Sequence, residues 1–217
     1  MGDAGQQLNY PTAMPAIYYV PGRGGRLNVG LGQELSARGY DLIGREIAGP
    51  GPRDQSNPFA SLSFQQQVEV IQHDLQSRFW TPEALVIGNS FGAYLIAHAI
   101  LQLGNFPGKC LFLSPVLGAV KTTGMLFKPP KSGALKDAIE NRSFPFIILD
   151  ILVGSRDEHF LPDIAEKLGQ ITKGKTIVID NEGHRLNHET VKATLNSWLP
   201  ERKTDQSQTL DPGQDMV

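Results

Sequence analysis

The chain has 217 residues, 40% of them hydrophobic, enough for one large domain with a buried core. Twenty Lys and Arg against 22 Asp and Glu leave a formal charge of −2 with no basic block, which excludes the electrostatic footprint of a nucleic-acid binder. A single cysteine, Cys110, excludes an internal disulfide framework, and no Cys/His spacing suggests a zinc site.

Residues 1–14 are polar and irregular and are expected to form a disordered tail. They lack the basic start and apolar run of a signal peptide, and Gly2 is not followed by the Ser or Thr of a myristoylation site. No stretch is long and apolar enough to span a membrane, so the sequence predicts a soluble, cytoplasmic protein. The domain proper is expected over 15–200. Its first strand is Ala16 to Val20, stopped by Pro21-Gly-Arg-Gly-Gly25. Leu27, Leu31 and Leu35 then mark a helical stripe ended by Gly39. A second strand fits Asp41 to Ile47, before a Gly/Pro-rich loop from Gly49 to Pro58. Ser63 with Gln66 reads as a capping box, and Phe64, Val68, Ile71, Leu75 and Phe79 form the apolar face behind it.

Ala84 to Gly88 is a short apolar run of the kind buried on both faces of a parallel sheet. Residues 91–103 form a helix apolar nearly all round, hence central. Further strands are predicted at Lys109 to Leu113, Phe146 to Val153 and Lys175 to Asp180, with a short helix from Pro162 to Leu168. The last helix carries Val191, Leu195, Trp198 and Leu199 and stops at Pro200; residues 201–217 are again expected to be disordered. Residues 117–145, with a possible helix from Ala134 to Asn141, read either as a small cap or as a long connection. Six strands alternating with helices imply an α/β protein, a three-layer α/β/α sandwich around a mostly parallel sheet with a minimal or absent lid.

The chemistry starts at Gly88-Asn89-Ser90-Phe91-Gly92, which matches Gly-x-Ser-x-Gly between a strand and a helix. A sharp turn there strains the middle residue, and glycines two positions either side avoid collisions. The serine then stands at the carboxyl end of the strand and the N-terminus of the helix, where a developing anion is favoured. A serine hydroxyl needs a base, and the base needs an orienting acid. Asp157 lies four residues past the predicted strand end at Val153, in a Gly-Ser turn, and His184 lies in the loop after the last strand. All three therefore fall at the carboxyl edge of the sheet, in the order Ser, Asp, His. Glu158 is a neighbouring alternative for the acid; His159 and His188 are alternatives for the base, while His73 and His98 lie within helices. Asp150 falls inside a strand, where an unpaired charge would be costly. The anionic intermediate requires two donors: the backbone N–H of Phe91, and that of Arg23 in the glycine-rich loop, with Gly24 in reserve. That loop could instead cradle a phosphate, but the full Gly-x-Gly-x-x-Gly spacing is missing and Glu46 is the only acid near the second strand's end.

These residues resemble the α/β-hydrolase superfamily, through Val20 to Gly25, Val86 to Ala93, Gly154 to Pro162 and Glu182 to His184. More narrowly, they look like the compact serine hydrolases of the retinoblastoma-binding protein 9 type, over about residues 16–199. The resemblance implies Ser90, Asp157 and His184 as nucleophile, acid and base of a catalytic triad, with no metal and no cofactor. Two features depart from common esterases: Pro21-Gly22 stands where many carry His-Gly, and Asn89 where His or Gln is common. The expected activity is cleavage of an ester, thioester or activated amide of a small acyl substrate through an acyl-serine. The alternative is a catalytically silent fold that binds a ligand or a protein. Arg23, Arg53 and Arg156 could attract an acidic group or be solvated surface residues, and Cys110 reads as a small core residue.

Overall fold

The computed structural model describes residues 15–49, 57–122 and 125–200. The two polar tails and Arg53 lie outside the described residues. The chain divides into a unit running through Leu186 and a second one from Asn187.

In the first unit, apolar runs too short for helices become β-strands. These are β1 (Ala16–Val20), β2 (Asp41–Gly44), β3 (Leu85–Asn89), β4 (Lys109–Leu113), the hairpin strands β5 (Val120–Thr122) and β6 (Met125–Phe127), β7 (Ile148–Gly154) and β8 (Thr176–Ile179). The helices between them are α1 (Leu31–Ala37), α2 (Pro58–Ser61), α3 (Phe64–Arg78), α4 (Phe91–Leu103), α5 (Ser132–Glu140) and α6 (Pro162–Ile171). Six strands form one sheet in the order β2-β1-β3-β4-β7-β8, parallel at every pairing. The predicted sheet is therefore present, and helices flank it.

Strand alternation decides what each face buries. Tyr18, Val20, Val86, Cys110, Phe112, Leu149 and Ile151 join the apolar faces of α3, α4, α5 and α6 in one core. Ile17, Tyr19, Leu85, Ile87, Leu111 and Leu113 alternate with them and are equally buried. The α4 helix is buried from Phe91 to Ile100, as its all-round apolar sequence requires. The capping box of α3 is present, Ser63 and Gln66 bonding reciprocally, and Gly39 takes φ 73° beyond α1.

Two strand boundaries differ from expectation by two residues or more. The second strand stops at Gly44 because the next two side chains leave the ladder. Arg45 grips Asp74 at 2.7 Å through two nitrogens, and Glu46 accepts from Leu27 N–H at 2.8 Å and pairs with Arg26. The β7 strand starts at Ile148 rather than Phe146, whose N–H is taken by Asn105 Oδ1 at 2.8 Å and whose ring is exposed. Residues 117–145 hold the β5–β6 hairpin and then α5. Leu135 and Ile139 of α5 belong to the main core, and Tyr94 of α4 donates to Pro130 O at 2.6 Å, so this segment is part of the domain wall.

The second unit contributes α7 (His188–Trp198), capped by Asn187, whose side chain accepts from Glu189 N–H. Among the described residues no helix is long and apolar enough to cross a membrane.

Candidate active site

The sheet order reverses at β1 and β3: the chain moves outward from β1 to β2, then returns to place β3 on the other side. Such a switch point opens a crevice beyond the strands' carboxyl ends. Ser90 stands there, between β3 and α4, with φ 51° and ψ −116°. A non-glycine residue pays strain in that region and holds it only where surroundings impose it. Here the constraint is steric. A Cβ on Gly88 would lie 2.5 Å from Ala93 Cα, and one on Gly92 would lie 2.1 Å from the Val20 carbonyl oxygen. Only glycines let the turn pack so closely against β1 and its own helix. Ser90 N–H donates to Leu113 O at 2.9 Å, fixing the turn to β4.

The loops after β7 and β8 are laced together at the same edge. Ser155 N–H donates to Ile179 O and Arg156 N–H to Glu182 O; Asn181 N–H reaches Ser155 Oγ, and Arg156 Nη2 reaches Asn181 Oδ1 at 2.6 Å. Gly154 is required for this approach, since its Cβ would sit 2.3 Å from Glu182 O. The lacing sets Asp157 beside His184. Both carboxylate oxygens of Asp157 lie 2.9 Å from His184 Nδ1, and Oδ1 also accepts the His159 backbone N–H at 2.8 Å. A carboxylate only accepts, so Nδ1 carries the ring proton and Nε2 presents a lone pair. That Nε2 is 2.8 Å from Ser90 Oγ. The Asp157 side chain is fully buried whereas His184 is 29% exposed, so the arrangement opens to solvent on the serine side.

The loop after β1 completes the surroundings. A Cβ on Gly22 would stand 3.1 Å from Ser90 Cβ and 3.7 Å from its Oγ. Gly24 N–H is spent on Ile47 O and Gly25 N–H on Gly22 O, so Gly24 is no reserve donor. The N–H groups of Arg23 and Phe91 have no partner among the described residues. The Arg23 guanidinium lies over the Phe91 ring, 4.2 Å from its centroid, and partial burial pulls its pKa down.

The other candidates have structural places. His98 sits in the core against Phe64 and Tyr94, its pKa pushed down to about 4 by burial. His73 lies on α3 and His188 opens α7. Asp157, not Glu158, faces His184. Asp150 Oδ1 accepts from the Lys175 N–H at 2.9 Å, so the carboxylate is not left unpaired. Glu46 is committed to Leu27 and Arg26, which removes it as a ribose partner, and Arg156 serves the loop lacing. Burial raises the Cys110 thiol pKa strongly, as for a core residue.

What sequence reasoning missed is the position of His159. Its ring lies 4.7 Å from that of His184, and Phe127 of the hairpin meets it edge-on at 5.2 Å. Its proximity to Asp157 in the chain was the only available signal. Asp157, His159 and His184 each bring a donor atom within 4.8 Å of the others, the one group among the described residues with the make-up of a metal site. Residues of the 117–145 segment, with Leu161 and Lys167, line a cavity of about 490 Å³.

No protein-family model matches this sequence, and no curated protein does. Solved structures do share its architecture. A lipase-esterase related protein from Clostridium acetobutylicum superposes with a TM-score of 0.59 at 13% identity, over 85% of this chain and 94% of that one. Est1E from Butyrivibrio proteoclasticus gives 0.58 at 14% identity over 88% of each chain. The thioesterase domain from the curacin biosynthetic pathway gives 0.57 at 14%, over 85% and 90%. With a six-stranded parallel sheet flanked by helices, the chain has the α/β-hydrolase fold.

Proposed function

We propose that the protein is a serine hydrolase of the compact type its motifs resemble, cleaving an ester, thioester or activated amide of a small acyl substrate. The observation that carries this reading is the unbroken relay from Ser90 Oγ to His184 Nε2 at 2.8 Å and from Nδ1 to Asp157 at 2.9 Å. A pair of hydrogen bonds at these lengths is what proton transfer from an alcohol requires.

In the proposed reaction, Ser90 Oγ attacks the acyl carbonyl while His184 Nε2 takes the hydroxyl proton. Asp157 holds the Nδ1–H tautomer and faces the imidazolium that forms. The tetrahedral oxyanion accepts hydrogen bonds from the Arg23 and Phe91 N–H groups. The second of these belongs to the first turn of α4, whose dipole adds to its pull. His184 then passes its proton to the leaving group, which departs and leaves an acyl-Ser90 ester. Water, deprotonated by His184, repeats the addition and releases the acid. Titratable side chains and backbone donors supply every step.

The test is turnover of a panel of aryl esters and acyl thioesters of graded chain length, together with fluorophosphonate labelling. Wild-type protein should hydrolyse at least one short acyl ester and take one label per chain. Ser90→Ala should lose the label and at least about 10³-fold in turnover, since removing a triad member leaves only residual acceleration from binding and the oxyanion hole. A folded wild-type protein that refuses the label would instead favour a binding role for the fold.

A further inference from the structure

We propose that Asp157, His159 and His184 form an inhibitory site for a divalent transition-metal ion, with zinc as the defining probe. The His159 Nδ1 atom is buried without a hydrogen-bond partner among the described residues, an expensive condition for a ring nitrogen. It points toward Asp157 Oδ1, 3.8 Å away. The donor atoms of the three residues lie within 4.8 Å of one another, and Asp157 is 2.9 Å from His184 Nδ1. Tetrahedral ligands about 2.0–2.2 Å from zinc stand roughly 3.3 Å apart, so side-chain shifts of several tenths of an ångström to about 1.5 Å bring all three onto one ion.

The donor set fixes the class of cation. Two imidazoles and one carboxylate suit zinc, copper or nickel, whereas magnesium and calcium want oxygen. His159 and His184 are 21% and 29% exposed, which gives the ion a way in and leaves its fourth position to water. Phe127 packs on the outer edge of His159 and holds the ring in place.

Binding balances without an external co-reactant. The ion takes the lone pair of His184 Nδ1, and the proton that Nδ1 carried is relocated to Nε2. His159 binds through Nδ1 with its own proton on Nε2, and Asp157 through a carboxylate oxygen. His184 then shows Ser90 an N–H rather than a lone pair, so it can no longer take the hydroxyl proton. Metal binding stands on the cluster alone; its inhibitory effect rests on the proposed hydrolase reading.

Calorimetric titration of the Ser90→Ala protein with zinc chloride tests binding independently of turnover. One zinc per chain is expected, with magnesium giving no heat. His159→Gln and His159→Phe should each weaken zinc binding at least about tenfold, the usual scale for losing one ligand or its support. The phenylalanine variant keeps a ring against Phe127 and guards against simple loss of packing. In wild-type protein, zinc should slow fluorophosphonate labelling of Ser90, a chelator should restore it, and the zinc concentration for half-inhibition should rise at least tenfold in both His159 variants. Absence of stoichiometric zinc binding in Ser90→Ala, or equal affinity in the His159 variants, overturns the site. Tight binding that leaves labelling untouched overturns the inhibition.

Discussion

Glycines around Ser90 serve two different ends, and the contacts separate them. Gly92 is structural: a Cβ there would meet the Val20 and Pro21 carbonyl oxygens at 2.1 and 2.5 Å, and backbone cannot step aside as a side chain can. Gly92→Ala should therefore destabilise the protein by about 3 kcal/mol or more, an overpacking cost at the top of the usual range, measurable as a fall in urea midpoint. Gly22 faces Ser90. Its Cβ would press on Ser90 Cβ at 3.1 Å, a contact relieved by a shift of a few tenths of an ångström in the loop that carries Arg23. On the proposed hydrolase reading, Gly22→Ala should keep its melting temperature within about 2 °C yet lose roughly 10–100-fold in kcat/KM, because small displacements of reacting groups are costly. A variant with the opposite profile, unstable but fully active per folded molecule, would show that Gly22 matters only for packing.

At the level of elements, the strands in the middle of the sheet were legible because each is a short, continuous apolar run with its own stop signal. Ala16 to Val20 and Lys109 to Leu113 match their predicted limits, and burial on both faces leaves little else for such runs to do. The edges were harder. The end of β2 depends on Arg45 meeting Asp74, 29 positions away in the chain, and no local pattern announces a partner at that distance. Asp74 also accepts the Tyr18 hydroxyl at 2.8 Å, so one carboxylate ties α3 to both β1 and the end of β2. The Tyr18 ring is wholly buried, and burial beside Asp74 pushes its pKa up, so it remains a donor. Asp74→Ala strands that hydroxyl and should cost about 2–3 kcal/mol, the penalty of a buried polar group left unpaired added to a lost ion pair. Tyr18→Phe leaves the Arg45–Asp74 pair intact and should cost about 1 kcal/mol. Equal losses in the two variants would mean that the ion pair contributes nothing.

For the whole molecule, parallel topology explains why so much of the candidate site could be read from a linear order. Every strand of a parallel sheet ends at the same edge, so residues just past β3, β7 and β8 converge there whatever their separation. The Phe127 and His159 contact escaped, because it depends on how a hairpin folds back over that edge. His98 escaped differently: its helix was legible, yet its consequence is global. Buried against Phe64 and Tyr94 with Nε2 unpartnered among the described residues, it titrates near pH 4 in the folded chain and near 6.5 when unfolded. The folded-state value is the lower one, so below about pH 6.5 the unfolded chain binds a proton that the folded chain refuses. Stability must therefore fall as pH drops from about 6.5 to about 4, then level off for this group. By pH 4.5 the loss from His98 is on the order of 2–3 kcal/mol. His98→Phe, which keeps an aromatic ring in the same apolar surroundings, should shrink the stability difference between pH 7 and pH 4.5 by about that amount. Urea unfolding at both pH values measures it. An unchanged difference would mean that carboxylates elsewhere, and not this buried imidazole, govern how the fold fails in acid.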